Sequence, residues 1–248
     1  MDYVLLGVWC FLVALGGGLV GLVLGNIRLP AVLVLSSSPA AGAGANIGIS
    51  AVAAAAASVA HIRAGRVNWR LFAWMAPPSI AGAVVGGYVS GVIPGDALLL
   101  AIAAVLFYSA YDLLARPGAG RRRPGRAALD IPAAVLSGLV IGLLGGLVGL
   151  ILGSLRMPAL IRLVGEEPPL AVGTNVTVGF LVGVAGVIGH LPSAPPDWDL
   201  LAVGALASIP GAVIGSRLTG RLSDRDLLRA IGVVLLIAAT VMAVDALT

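Results

Sequence analysis

The chain has 248 residues, 59% of them hydrophobic and only 10% charged, with a mean hydropathy of +1.08. Soluble domains run near 45–50% apolar and about 25% charged, so an ordinary soluble domain is excluded. The net charge of +4 rests on arginine alone, with no lysine, and leaves no solvated basic face for nucleic acid. Aromatics are scarce and no alternating pattern marks a barrel, while the single Cys10 rules out an intrachain disulfide or a thiolate metal cluster.

The composition reads as an all-α, polytopic helical membrane protein. In chain order, apolar runs between charged breaks predict spans over 3–25, 46–62, 71–92 and 97–115, then 131–153, 174–190, 199–219 and 228–246. The first span lacks the basic leader of a cleavable signal and is expected to be retained. Between the first two spans of each set lie residues 29–45 (LPAVLVLSSSPAAGAGA) and 157–173 (MPALIRLVGEEPPLAVG). Both begin apolar, but proline removes a helix hydrogen bond, so broken or half-membrane elements are expected there. The polar, Pro- and Gly-rich stretch from Arg116 to Asp130 reads as a cytoplasmic linker.

That linker divides a duplicated chain into a first transmembrane repeat (1–115), the linker (116–130) and a second repeat (131–248). Gly17–Pro30 (GGLVGLVLGNIRLP) matches Gly145–Pro158 (GGLVGLILGSLRMP) at 10 of 14 positions under a shift of 128. A shift of 129 then pairs Asn46 with Asn175, His61 with His190, Trp69 with Trp198, and Gly82 and Gly86 with Gly211 and Gly215. Matching loops carry opposite charge. Loop 61–70 holds Arg63, Arg66 and Arg70, whereas 190–199 holds Asp197 and Asp199; 91–97 holds only Asp96, whereas 217–229 is rich in arginine. Because cytoplasmic loops collect arginine, the two repeats are expected to have inverted topology. Each must then cross an odd number of times, the extra crossing coming from the broken segment, with both termini outside. The rival is four parallel spans per repeat with re-entrant hairpins at 29–45 and 157–173.

Inverted repeats with matching broken helices point to an alternating-access transporter whose site lies near the midplane, and half-helix N-termini suit an anion. Arg28 and Arg156 stand two residues before the paired prolines. They either snorkel from span ends or form an oxyanion site with bidentate donors. Asn46 and Asn175 open the spans after the breaks, as N-caps, as ligand contacts, or as both. Ser36, Ser37, Ser38, Thr174 and Thr177 add hydroxyls, the serines chiefly as turn formers. His61 and His190 sit at span ends, where an interfacial role is expected. No carboxylate lies deep in a span, Glu166 and Glu167 in the second break being the one exception to weigh. The ladders Gly17/Gly21/Gly25, Gly145/Gly149/Gly153, Gly82/Gly86 and Gly211/Gly215 are packing devices. No nucleophile–base pair, metal-ligand cluster or phosphate loop is present, so no enzyme, metal or cofactor is expected.

The duplicated Gly-rich segments ending in Pro30 and Pro158, the stretch GANIGISAVAAAAASVAHIRAGRVNWR and the Gly82/Gly86 helix resemble the TauE/SafE sulfite exporter family over essentially the whole chain. The resemblance implies a multi-pass transporter of sulfite, organosulfonates or related anions in the bacterial cytoplasmic membrane. The family usually shows a Gly-Gly pair and apolar residues where this chain has Gly25-Asn26-Ile27-Arg28 and Gly153-Ser154-Leu155-Arg156, and the added charge still favours an anion. The expected substrate site joins Gly25, Asn26, Arg28, Asn46, Gly153, Ser154, Arg156, Thr174 and Asn175. The expected partners are a small anion and the bilayer, with homo-oligomerisation left open. An anion channel or a non-transporting membrane scaffold is the alternative.

Overall fold

The computed structural model describes residues 3–88, 95–116, 130–148, 150–191 and 195–247. The loop at 91–94, the linker between Arg116 and Asp130, and the His190 side chain lie outside the described residues, and so do the expectations placed on them. The elements are α1 (Tyr3–Val20), α2 (Gly25–Leu35), α3 (Pro39–Arg63), α4 (Trp69–Tyr88), α5 (Gly95–Ala115), α6 (Ile131–Val148), α7 (Gly153–Pro158), α8 (Pro168–His190), α9 (Trp198–Thr219) and α10 (Asp224–Asp245). A π-helical turn, Ala159–Val164, continues α7. Among the described residues there is no strand, and seven helices are long and apolar enough to cross a membrane. The chain is thus an all-α polytopic helical membrane protein.

The expected boundaries move on both sides of each break. The first span was expected to reach residue 25 and stops at Val20, and its mate stops at Val148 instead of 153. The breaks therefore begin earlier than the prolines. The chain opens at 21–24 and 150–152, then resumes as the half-length helices α2 and α7, which carry Pro30 and Pro158 inside them. The following helices also start earlier, at Pro39 and Pro168, because proline preset for the first helical turn stands there. Ser38 completes the first of these starts by accepting from the Ala41 N–H at 3.2 Å. Asn46 and Asn175 consequently lie well inside α3 and α8, and the expectation that they cap those helices is corrected.

The matched halves end their first helices in the same way. Leu22 N donates to Gly17 O and Leu150 N to Gly145 O, both at 2.9 Å. Leu24 (φ −93°, ψ 41°) and Leu152 (φ −81°, ψ 51°) precede the half-helices in nearly the same conformation.

Glycine governs the packing. A Cβ at Gly82 or Gly86 would collide with the carbonyls of Leu139 and Leu143, and one at Gly211 or Gly215 with those of Phe11 and Leu15. Helix α4 thus lies backbone to backbone along α6, and α9 along α1, each pair parallel. Between them α3 and α8 run antiparallel: Gly173 faces His61, Gly183 faces Ala51 and Gly186 faces Ile47. The helix α5 packs on α10, where Gly232 receives Leu114. His61, expected at the interface, is fully buried with Nε2 3.2 Å from Gly18 O.

Candidate functional site

Opening a helix inside a packed bundle leaves carbonyls without partners, and each must be satisfied internally where no water reaches. Gly21 begins the first opening with φ +68°, a left-handed turn that only glycine adopts freely. A Cβ there would also stand 2.5 Å from Val172 O on α8. The carbonyl freed at Gly21 is taken up by an asparagine, and both asparagines also bond the first carbonyls of the half-helices. Asn46 Nδ2 donates to Gly25 O at 3.1 Å. Asn175 Nδ2 donates to Gly153 O at 2.9 Å and, across the two halves, to Gly21 O at 2.8 Å.

The same asparagines hold the arginines. Arg28 donates from Nε to Asn46 Oδ1 at 3.0 Å and from Nη2 to Asn46 O at 3.1 Å and Ser50 Oγ at 2.5 Å. Arg156 donates from Nη1 to Asn175 Oδ1 at 3.3 Å, and its buried Nε has no hydrogen-bond partner. Arg28 is 2% exposed and Arg156 1%, so neither snorkels to a headgroup. Among the described residues neither guanidinium meets a carboxylate. A buried charge without a counter-charge is costly, and both sites keep donors that an incoming anion would satisfy.

Gly25, Arg28 and Asn46 form one cluster, and Gly153, Arg156 and Asn175 its repeat mate. The two are tied through the Asn175 bond to Gly21. Asn26 is half-buried with Nδ2 unpartnered, and Ser154 is buried beside Gly153 at the start of α7. Thr174 is buried too, but its Oγ1 accepts from Asn68 N at 2.9 Å, so it serves the α3–α4 loop and not Arg156. Ser50 is the member that sequence reasoning missed. It stands one helical turn beyond Asn46 on the same face of α3, and that spacing was the available signal. Its mate under the 129 shift is Gly179, which accounts for the thinner hydrogen bonding around Arg156.

A small cavity of about 20 Å³ lies beside the first cluster, lined by Arg28, Ser50, Gly17, Leu24, Ala54 and Val176 among others. That is room for one water. Outside the bundle's interior, Arg66 in the α3–α4 loop donates to Ser216 O at 2.8 Å, and burial pushes its guanidinium below its ordinary value.

Comparison with known proteins agrees with this architecture. A family described as sulfite exporter TauE/SafE matches residues 6–242. The chain is similar to probable membrane transporter protein YjnA of Bacillus subtilis (strain 168), 29% identical over 226 residues, covering 85% of this chain and 89% of that protein. It is also similar to probable membrane transporter protein YunE of the same organism, 25% identical over 244 residues, covering 88% and 87%. No solved structure matches the chain.

Proposed function

From its membership of the sulfite exporter TauE/SafE family, as a multi-pass membrane transporter, we propose that the chain moves a small sulfur-containing anion, sulfite or an organosulfonate, by alternating access. The observation that carries the reading is the pair of buried arginines, Arg28 and Arg156, each held by an asparagine and opposed by no carboxylate among the described residues. A substrate with several oxygens around one sulfur accepts charge-assisted hydrogen bonds from the guanidinium donors that the asparagines and Ser50 leave free. It would exchange its water shell for these donors and for the polar backbone of the opened segments. The proposed site comprises Gly25, Asn26, Arg28, Asn46 and Ser50 with Gly153, Ser154, Arg156 and Asn175; Thr174 bounds it from the loop side.

We read the chain as two repeats of inverted topology, 1–115 and 131–248, joined by a cytoplasmic linker at 116–130, in the bacterial cytoplasmic membrane. The antiparallel run of α3 against α8 supports this, because four parallel spans per repeat would set these two helices in the same direction, and so do the arginine-rich loops on one side. The cavity of about 20 Å³ is too small for sulfite, so loading requires the halves to part. Proteoliposomes test the reading: saturable uptake of radiolabelled sulfite and a small sulfonate, with counterflow and against sulfate and chloride controls, is the expected result. Flux without counterflow would indicate a channel, and no anion flux at all would overturn the substrate assignment.

A further inference from the structure

The same shift that relates the two arginine clusters also relates two joints at the ends of the bundle. Ser37 follows the first half-helix, and both its backbone N–H and its Oγ donate to the Asp197 carboxylate, each at 2.8 Å. Asp197 N in turn donates to Ala41 O at 3.3 Å. Asn68 precedes α4, and its Nδ2 donates to Glu166 Oε2 at 2.5 Å, while its backbone N–H donates to Thr174 Oγ1. Adding 129 carries Ser37 onto Glu166 and Asn68 onto Asp197. These are one joint made twice, with the carboxylate moved from one partner to the other. Each ties the turn after a broken element in one half to the loop before α4 or α9 in the other. They sit beyond opposite ends of α3, whose 25 residues span about 37 Å at 1.5 Å per residue.

The two joints differ in their surroundings. Ser37 is exposed, whereas Glu166 is 1% exposed and its Oε1 is taken by Glu167 N at 3.0 Å. The Glu166 end carries further ties between the halves, Arg66 Nη1 to Ser216 O at 2.8 Å and Thr219 Oγ1 to Leu19 O at 2.7 Å. One end is therefore sealed and the other held by a bond that water reaches.

We propose that Ser37–Asp197 and Asn68–Glu166 are a matched pair of gate latches, one at each membrane face, whose alternate release admits substrate to the arginine sites from one side at a time. Each has one charged and one neutral partner, so it closes with a directional hydrogen bond and can be exchanged for water when the halves part. This rests on the alternating-access reading above, and the test separates the two.

In a Cys10→Ala background, Ala53→Cys places a thiol in the cavity lining, and a membrane-impermeant thiol reagent is applied from either face of oriented vesicles. Ser37→Ala or Asp197→Ala is expected to speed labelling from the Ser37 face by roughly fivefold or more, the effect of a weakened closure on a two-state equilibrium. Glu166→Ala should do the same from the opposite face. Asn68→Asp combined with Glu166→Gln reverses the donor and the acceptor and should restore the wild-type rate, which a merely structural loss would not permit. Ser37 is exposed, so its variant tests one latch even if a Glu166 variant fails to fold. One-sided wild-type labelling that no variant shifts, or variants that all act from the same face, would overturn the latches alone. Variants that each speed labelling from both faces at once would overturn alternating access itself, whose two gates are never open together.

Discussion

Replacing Asn46 with aspartate would set a carboxylate against the Arg28 guanidinium, because Asn46 Oδ1 already accepts from Arg28 Nε at 3.0 Å. The fold should tolerate it. The new ion pair forms in place, offset by the lost donation to Gly25 O at 3.1 Å, so the melting temperature in detergent should stay near that of the wild type. The substrate should not tolerate it. An anion on the far side of the guanidinium would lie about 6 Å from the added carboxylate, and two unit charges there repel by about 3 kcal/mol at an effective dielectric of about 20. That is roughly a hundredfold in affinity. Sulfite uptake into proteoliposomes, taken across concentrations, should show KM raised by that order or flux below detection. A folded Asn46→Asp protein with wild-type KM would refute the placing of substrate on Arg28.

Asn175→Ala strips the donor from Gly21 O in the opened segment and a second donor from Gly153 O, at about 1–3 kcal/mol for the one carbonyl left unsatisfied, and thermal unfolding in detergent should register the loss. Gly82→Ala drives a methyl into the Leu139 carbonyl and should cost about 1–3 kcal/mol as overpacking, whereas Gly189→Ala meets nothing within 4 Å and should leave the melting temperature unchanged or raise it. Gly25→Ala, whose Cβ would stand 2.8 Å from Ser50 Oγ, should impair uptake more than Gly153→Ala, whose nearest contact is 3.4 Å from Val23 N. Arg162→Gln removes the 2.7 Å pair with Asp112, both side chains about four-fifths buried, together with the bonds to the Asp112 and Arg116 carbonyls, and should lower stability by about 1–3 kcal/mol.

Much of the fold and the central pairs of the site are legible in the residues. The repeated GGLVGL segments, the arginines two residues before Pro30 and Pro158, and the paired asparagines all announce themselves by spacing. The position of the helix openings does not. Leu22, Val23 and Leu24 are as apolar as any helical turn, and what opens the chain there is Gly21 pressed against Val172 of the other half, a contact no local pattern encodes. The asparagines read as helix starts because a proline within an apolar run reads as a break, whereas Pro39 and Pro168 begin the helices. Ser50 escaped notice because its mate is Gly179, and the Ser37–Asp197 and Asn68–Glu166 joints because matched positions carry different residue types. A comparison by identity finds repeated letters; these joints repeat only in three dimensions.

The central claim is that two buried guanidiniums, Arg28 and Arg156, bind the transported anion. Its most direct test is saturable sulfite flux in proteoliposomes with Arg28→Gln and Arg156→Gln measured side by side with the wild type, each first shown to be folded by its melting profile. The account predicts saturable wild-type flux that is lost in both variants. Flux at wild-type KM in both folded variants would contradict it.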